Sequence, residues 1–223
     1  MSNRMIVFEE GVYYHVFNRG IDKKIIFHDD EDIKYFLDRL ADFNNDMPVG
    51  GVRRQKVHRH KKGRGKASTL VEIVAYCLLP NHFHLVLKQS GDDGVSRFIQ
   101  RICTGYAMYY NKKYKRNGSL YQGKFKATRL DAIDSLHRVS VYVNLNYKHH
   151  KINPSKNMVA SGVGEYLNVG VNRGLCSKNE VATIIDSIGG RESYKKYAKI
   201  QATIFAENKD VINSDITFDE LEE

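Results

Sequence analysis

From Val12 to Asn18 the chain reads VYYHVFN, a β-branched and aromatic run closed by Arg19 and Gly20, which predicts a first strand. Behind Asp29 and Asp30, either of which can cap a helix, Ile33, Phe36, Leu37, Leu40 and Phe43 recur at helical spacing. Residues 44–69 are polar and carry no apolar period, so a loop is expected there. The stretch from Val71 to Lys88, VEIVAYCLLPNHFHLVLK, is two apolar runs joined at Pro80-Asn81, the pattern of a buried β-hairpin. Val95, Phe98, Ile99, Ile102 and Tyr106 then mark a second helix running to about Tyr114. A third helix is expected from about Asp131 to Lys148, with Ile133, Leu136, Val143 and Tyr147 on its core side. On a neighbouring stripe of that helix Tyr142, Asn146 and His149 fall at i, i+4 and i+7. Further on, Ser177 to Phe205 reads as one or two amphipathic helices, and Glu207 to Glu223 carries seven acids and one lysine.

The 223 residues suffice for one good-sized domain with a small appendage. A net charge of +9 and a pI near 9.3 point to a polyanionic partner, which is a statement about association and not about fold. Most of that charge is local. The acid-free segment RRQKVHRHKKGRGK supplies eight cations: Arg53, Arg54, Lys56, Arg59, Lys61, Lys62, Arg64 and Lys66. It is either a solvated charge run or an arm that neutralises backbone phosphates without reading sequence, and the neighbouring hairpin favours the arm. At the end of the second helix Tyr109, Tyr110 and Tyr114 interleave with Lys112, Lys113, Lys115 and Arg116. That composition suits stacking bases and holding phosphates of a single strand, or simply a helix of packed tyrosines and solvated lysines. The acidic end is read as a solvated tail, or as a competitor of DNA for a basic groove. Three cysteines, Cys77, Cys103 and Cys176, lack paired spacing, which points to a reducing, cytoplasmic setting. No signal-like segment or run of 18 apolar residues is present, so no membrane role is expected.

On the second strand of the hairpin His82 and His84 stand at i and i+2 and project to one face, as two imidazoles gripping one divalent cation would. His-x-His alone is a weak motif, but in the middle of an apolar hairpin a purely structural pair would leave four ring nitrogens to satisfy. His15, alone in an aromatic strand, is read as a hydrogen-bonded core residue.

Four stretches in this order, YYHVFNRG, LLPNHFHLVLK, GSLYQGKFKA and VYVNLN, resemble the single-tyrosine HUH transposases, in particular the branch that includes the repeat-associated tyrosine transposases. The resemblance spans about Gly11 to His150. It implies an α+β, ferredoxin-like antiparallel sheet flanked by helices, whose open face carries the metal site, over residues 1–150. A basic insertion at 50–68 interrupts that domain, and residues 151–223 form a small helical C-terminal extension. By motif position Tyr142 is the nucleophile, and His82, His84 and Asn146 are the metal ligands. The expected ion is Mg²⁺ or Mn²⁺, although the ligand types also permit zinc. Leu120 to Leu130 matches a short extended segment of the family, with Lys124, Lys126 and Arg129 as backbone contacts. The implied activity is cleavage and strand transfer of single-stranded DNA beside hairpins through a 5′-phosphotyrosine, by a monomer or a homodimer. Two departures stand out: relatives usually have a shorter connection where the basic block lies, and often a proline where this chain has Tyr147. The alternatives are a DNA- or RNA-binding regulator on the same fold without cleavage, and a metal-dependent nuclease that uses water.

Overall fold

A computed structural model describes residues 6–47, 68–154, 158–170 and 172–207; the basic block and the acidic stretch from 208 onward lie outside them. In chain order come β1 (Tyr13–Arg19), α1 (Asp30–Asp42), β2 (Val71–Leu79), β3 (His82–Gln89), α2 (Gly94–Lys113), β4 (Lys126–Leu130) and α3 (Ile133–Asn144). The four strands pair antiparallel in the order β4-β1-β3-β2, which is the ferredoxin-like βαββαβ arrangement. A two-residue strand, β5 (Ala160–Ser161), adds to the outer edge of β2.

The hairpin forms where the sequence pattern places it, with Pro80 and Asn81 between β2 and β3. The Pro80 carbonyl accepts from the amides of Ile26 (2.7 Å) and Phe27 (3.0 Å), tying the hairpin tip to the segment before α1. Both strands read as near-continuous apolar runs because both faces of the sheet are covered. On one face Phe36 of α1 lies 5.1 Å from Phe83 of β3 and 5.2 Å from Tyr106 of α2. The start of α2 lies so close to β2 that a Cβ on Gly94 would sit 2.1 Å from the Leu70 carbonyl oxygen. Asp29 caps α1 by accepting from the Asp32 amide at 3.0 Å, as the sequence allows.

The opposite face is covered too, which corrects the expectation of an open sheet. Helix α3 lies across β2 and β3. It is in turn backed by the C-terminal helices α4 (Asn146–His149), α5 (Val163–Leu167), α6 (Lys178–Ser187) and α7 (Arg191–Glu207), of which α7 packs on α3 and α4. Buried Glu165 of α5 pins this layer: its carboxylate accepts from the amides of Leu175 (3.2 Å) and Cys176 (3.0 Å) and from the Tyr76 hydroxyl (3.4 Å).

The expected helix over 131–148 is shorter and broken. It ends at Asn144, Leu145 takes φ −112° and ψ 15°, and α4 begins at Asn146. No proline or glycine causes this. The Ser161 hydroxyl donates to the Asn144 carbonyl at 2.5 Å, and the Lys148 amide turns to the Leu145 carbonyl instead. Ile133, expected in the core, is the first residue of α3 and stays exposed, because the buried stripe begins a turn later at Leu136.

Candidate active site: a histidine cluster beneath the tyrosine helix

The register of β1, β2 and β3 decides what shares a face with the His-x-His pair. His84 stands opposite Phe17 of β1 and Cys77 of β2, and His82 opposite Arg19 and Leu79. Alternation along β1 then puts His15 on the same face as Phe17. His82 and His84 are almost fully buried, with ring centroids 5.0 Å apart and planes at 82°. Tyr142 reaches them from α3: its ring meets His84 edge-on at 5.9 Å and His15 at 6.1 Å, and it is itself only 4% exposed. The tyrosine and both histidines thus meet within a single chain.

Each histidine of the pair has its Nδ1 engaged. For His82 the partner is Asn81 Oδ1 at 2.6 Å, and Asn81 Nδ2 in turn donates to the Lys23 carbonyl at 3.2 Å, which fixes the amide with its oxygen toward the ring. An amide oxygen only accepts, so His82 carries its proton on Nδ1. For His84 the partner is His15 Nε2 at 2.9 Å. Burial drives the His15 pKa down to about 3 and holds that of His84 well below its ordinary 6.5, the neighbouring His82 adding to the effect. Both rings are therefore neutral near pH 7. His84 Nε2 is buried and has no hydrogen-bond partner.

Asn146 opens α4 immediately after the break and is fully buried, and neither atom of its amide group has a hydrogen-bond partner. Asn144, two residues earlier, is engaged differently: its amide nitrogen donates to the Tyr194 hydroxyl at 3.3 Å and so faces the C-terminal layer. A neutral donor set of two imidazoles and one amide suits a divalent cation, and three of its polar atoms, His84 Nε2 and the Asn146 amide pair, sit buried without partners. Among the described residues no three His, Cys, Asp or Glu side chains form a cation site by themselves, so a third donor would have to be an amide such as that of Asn146. Cys77, opposite His84, is kept protonated by burial, which pushes its thiol to about 12.

Two further histidines close the cluster: His149, which the helical spacing puts on the stripe of Tyr142, and His150, to which nothing in the hydrophobic pattern points. His149 lies 5.6 Å from the Tyr142 ring and His150 lies 5.0 Å from the His82 ring, both carried in by α4 and the turn after it. His15 likewise reads only as core in the sequence, since its contact with His84 depends on the pairing of strands 69 residues apart.

The sequence-derived DNA contacts separate into three groups. Arg53, Arg54, Lys56, Arg59, Lys61, Lys62, Arg64 and Lys66 lie outside the described residues. Lys112, Lys115, Lys124 and Lys126 are exposed, and Lys126 stands opposite Phe17, one strand removed from His84 on the site face. Lys113 is a correction: its ammonium is held by Asp29 (2.8 Å), Glu31 (3.0 Å) and Asp32 (2.8 Å), so three carboxylates already neutralise it. The tyrosines around it pack as well. Tyr109 stacks on Tyr35 at 3.9 Å, Tyr110 bonds His28 at 2.8 Å, Tyr114 donates to Asp32 at 2.7 Å, and Arg116 lies over the Tyr110 ring. Arg129 pairs with Glu9 and Asp131.

Residues 54–146, the span that holds the histidine pair and Tyr142 and ends on Asn146, match the family model described as "Transposase IS200 like". Over this stretch the chain is similar to the IS200-like transposases. Among solved structures the chain is similar to a REP-associated tyrosine transposase bound to a REP hairpin, at 16% identity and a TM-score of 0.50, over 79% of this chain and 89% of that one. A candidate transposase from Deinococcus radiodurans aligns at 15% identity and a TM-score of 0.36, over 61% of this chain and 90% of that one. At such identities the first likeness bears on the fold alone, and it is the same α+β fold. No curated protein matches the chain. Among the described residues no helix is long and apolar enough to cross a membrane.

Proposed function

We propose that the protein is a metal-dependent endonuclease and strand transferase for single-stranded DNA, with Tyr142 as its nucleophile and hairpin-flanked sites as its substrate. The observation that carries this reading is the edge-on packing of Tyr142 over His84, in one chain, with His84 Nε2 buried without a partner; the Asn146 amide at the start of α4 is likewise buried without partners. His82, His84 and Asn146 would hold Mg²⁺ or Mn²⁺, which supplies charge stabilisation at a phosphate oxygen.

The chain's own residues do the rest. The Tyr142 oxygen bonds to phosphorus, the bond from phosphorus to the 3′-oxygen breaks, the phenol proton passes to water, and a free 3′-hydroxyl leaves with a proton. One phosphodiester replaces another, so a second 3′-hydroxyl can reverse the step onto a new strand without a nucleotide cofactor. Because the tyrosine is almost buried, admitting the strand entails a shift of His149, which packs on it. Lys126, opposite Phe17, would take a backbone phosphate near the site, and a single strand needs no duplex opening to reach it. The REP hairpin of the similar transposase makes hairpin DNA the substrate to try first.

The test is a denaturing gel of the protein with labelled hairpin-containing single strands. A protein-linked DNA band is expected with Mn²⁺ and none with EDTA. Cleavage without a linked band would instead assign a water-using nuclease, and binding without either product a regulator.

The basic block is proposed as a phosphate-binding arm. Neutralising its eight cations should weaken binding at low salt and flatten the dependence of log K on log salt by about 0.7 for each phosphate the arm no longer neutralises. Equal slopes for the variant and the parent in a fluorescence titration would remove the arm from the interface.

A further inference from the structure

The hydrogen bond between His15 and His84 is built with unusual care for a core contact. The two ring planes lie within 4° of each other, and their centroids are 5.1 Å apart with Nε2 and Nδ1 at 2.9 Å. That separation is the hydrogen bond plus the two ring radii, so the rings meet edge to edge in one plane, where an imidazole lone pair and N–H both point. Phe17 lies against both rings, at 5.5 Å from His15 and 5.3 Å from His84 with planes near 20°, while Tyr142 stands perpendicular to both. Clamped on these sides, the pair has little freedom to rotate.

We propose that His15 is a positioning residue that fixes His84 as the Nδ1–H tautomer and aims its unprotonated Nε2 into the site. The inference rests on the metal reading above and deepens it. A neutral imidazole carries one proton, so an Nε2 that is to bind a cation requires the proton on Nδ1, and that proton needs an acceptor in a buried place. His15 Nε2 is that acceptor, and the His15 proton then resides on its own Nδ1. Asn81 does the same for His82 from the hairpin turn. The two candidate ligands thus share one arrangement, with a different residue behind each.

The test compares wild type with His15→Phe, which keeps a flat ring and removes the acceptor, and with His15→Gln, whose amide oxygen restores one. In the metal-free protein, two-bond ¹H–¹⁵N spectra should place the His84 proton on Nδ1 in wild type and in His15→Gln, and shift it toward Nε2 in His15→Phe. Mn²⁺ titrated by electron paramagnetic resonance should bind roughly 10 to 100 times more weakly to His15→Phe, with most of the loss recovered in His15→Gln. Thermal unfolding confirms that each variant is folded. A wild-type His84 protonated on Nε2, or a folded His15→Phe with unchanged tautomer and Mn²⁺ affinity, would overturn the proposal. If the tautomer shifts as expected but wild type takes up no Mn²⁺, the positioning role stands and the metal reading is what fails.

Discussion

Replacing Tyr142 by phenylalanine is expected to remove the covalent protein–DNA product by more than about a thousandfold, while DNA affinity changes by less than about twofold. The asymmetry follows from what is deleted. The substitution takes away one hydroxyl, the nucleophile, and leaves the ring that packs against His15, His84 and His149. The fold should hold as well, since the phenylalanine ring keeps the same packing. Other tyrosines have fixed employment elsewhere: Tyr106 donates to the Ile26 carbonyl, Tyr110 to that of Ile25, and Tyr114 to Asp32. Tyr147 is the nearest in sequence, half-buried on the other side of the break. Wild type and variant on one denaturing gel, with Mn²⁺ and the same hairpin strand, provide the check. A linked band of equal intensity in the variant would mean that the nucleophile is another residue, with Tyr147 the next to be changed.

The hairpin and the helices around it were legible because their signals are local. Pro80-Asn81 between two apolar runs can hardly be anything but a turn, and Asp29 announces α1 by capping it. What escaped depends on contacts distant in the chain. The Ser161 hydroxyl that takes the Asn144 carbonyl and ends α3 belongs to a two-residue strand with no pattern of its own. The layer that backs α3 over the histidine face comes from the same C-terminal region, held by buried Glu165. Lys113 reads as a free cation at the end of a basic helix, and only the packing of α2 on α1 reveals the three acids at its tip. His15 is the sharpest case. Its alternation on β1 is visible in the sequence, but its meeting with His84 follows from an antiparallel register that no single-chain pattern states.

The second large effect is a loss of stability in mild acid, which the same buried pair dictates. His15 is held at about 3 in the folded protein against 6.5 for a solvated imidazole, and His84 is displaced in the same direction, each mainly by burial. As pH falls below 6.5, the unfolded chain binds protons that the folded protein refuses, so stability must decline with pH in this window. From about one pH unit above 6.5 the two states hold the same protons at these rings and the effect vanishes. One pKa unit corresponds to about 1.4 kcal/mol, so at pH 5 His15 alone costs roughly 2 kcal/mol, a large part of the 5–15 kcal/mol that usually holds a domain together, and His84 acts in the same direction. Urea midpoints of the metal-free protein at pH 7, 6 and 5 should therefore fall steeply over the last step. His15→Phe should lose about one proton's worth of that slope, because one buried imidazole has been replaced by a ring that cannot be charged. A midpoint that stays level from pH 7 to pH 5 in the wild type would show that protons reach this pair in the folded state, and that the cluster beneath α3 is wetter than its packing implies.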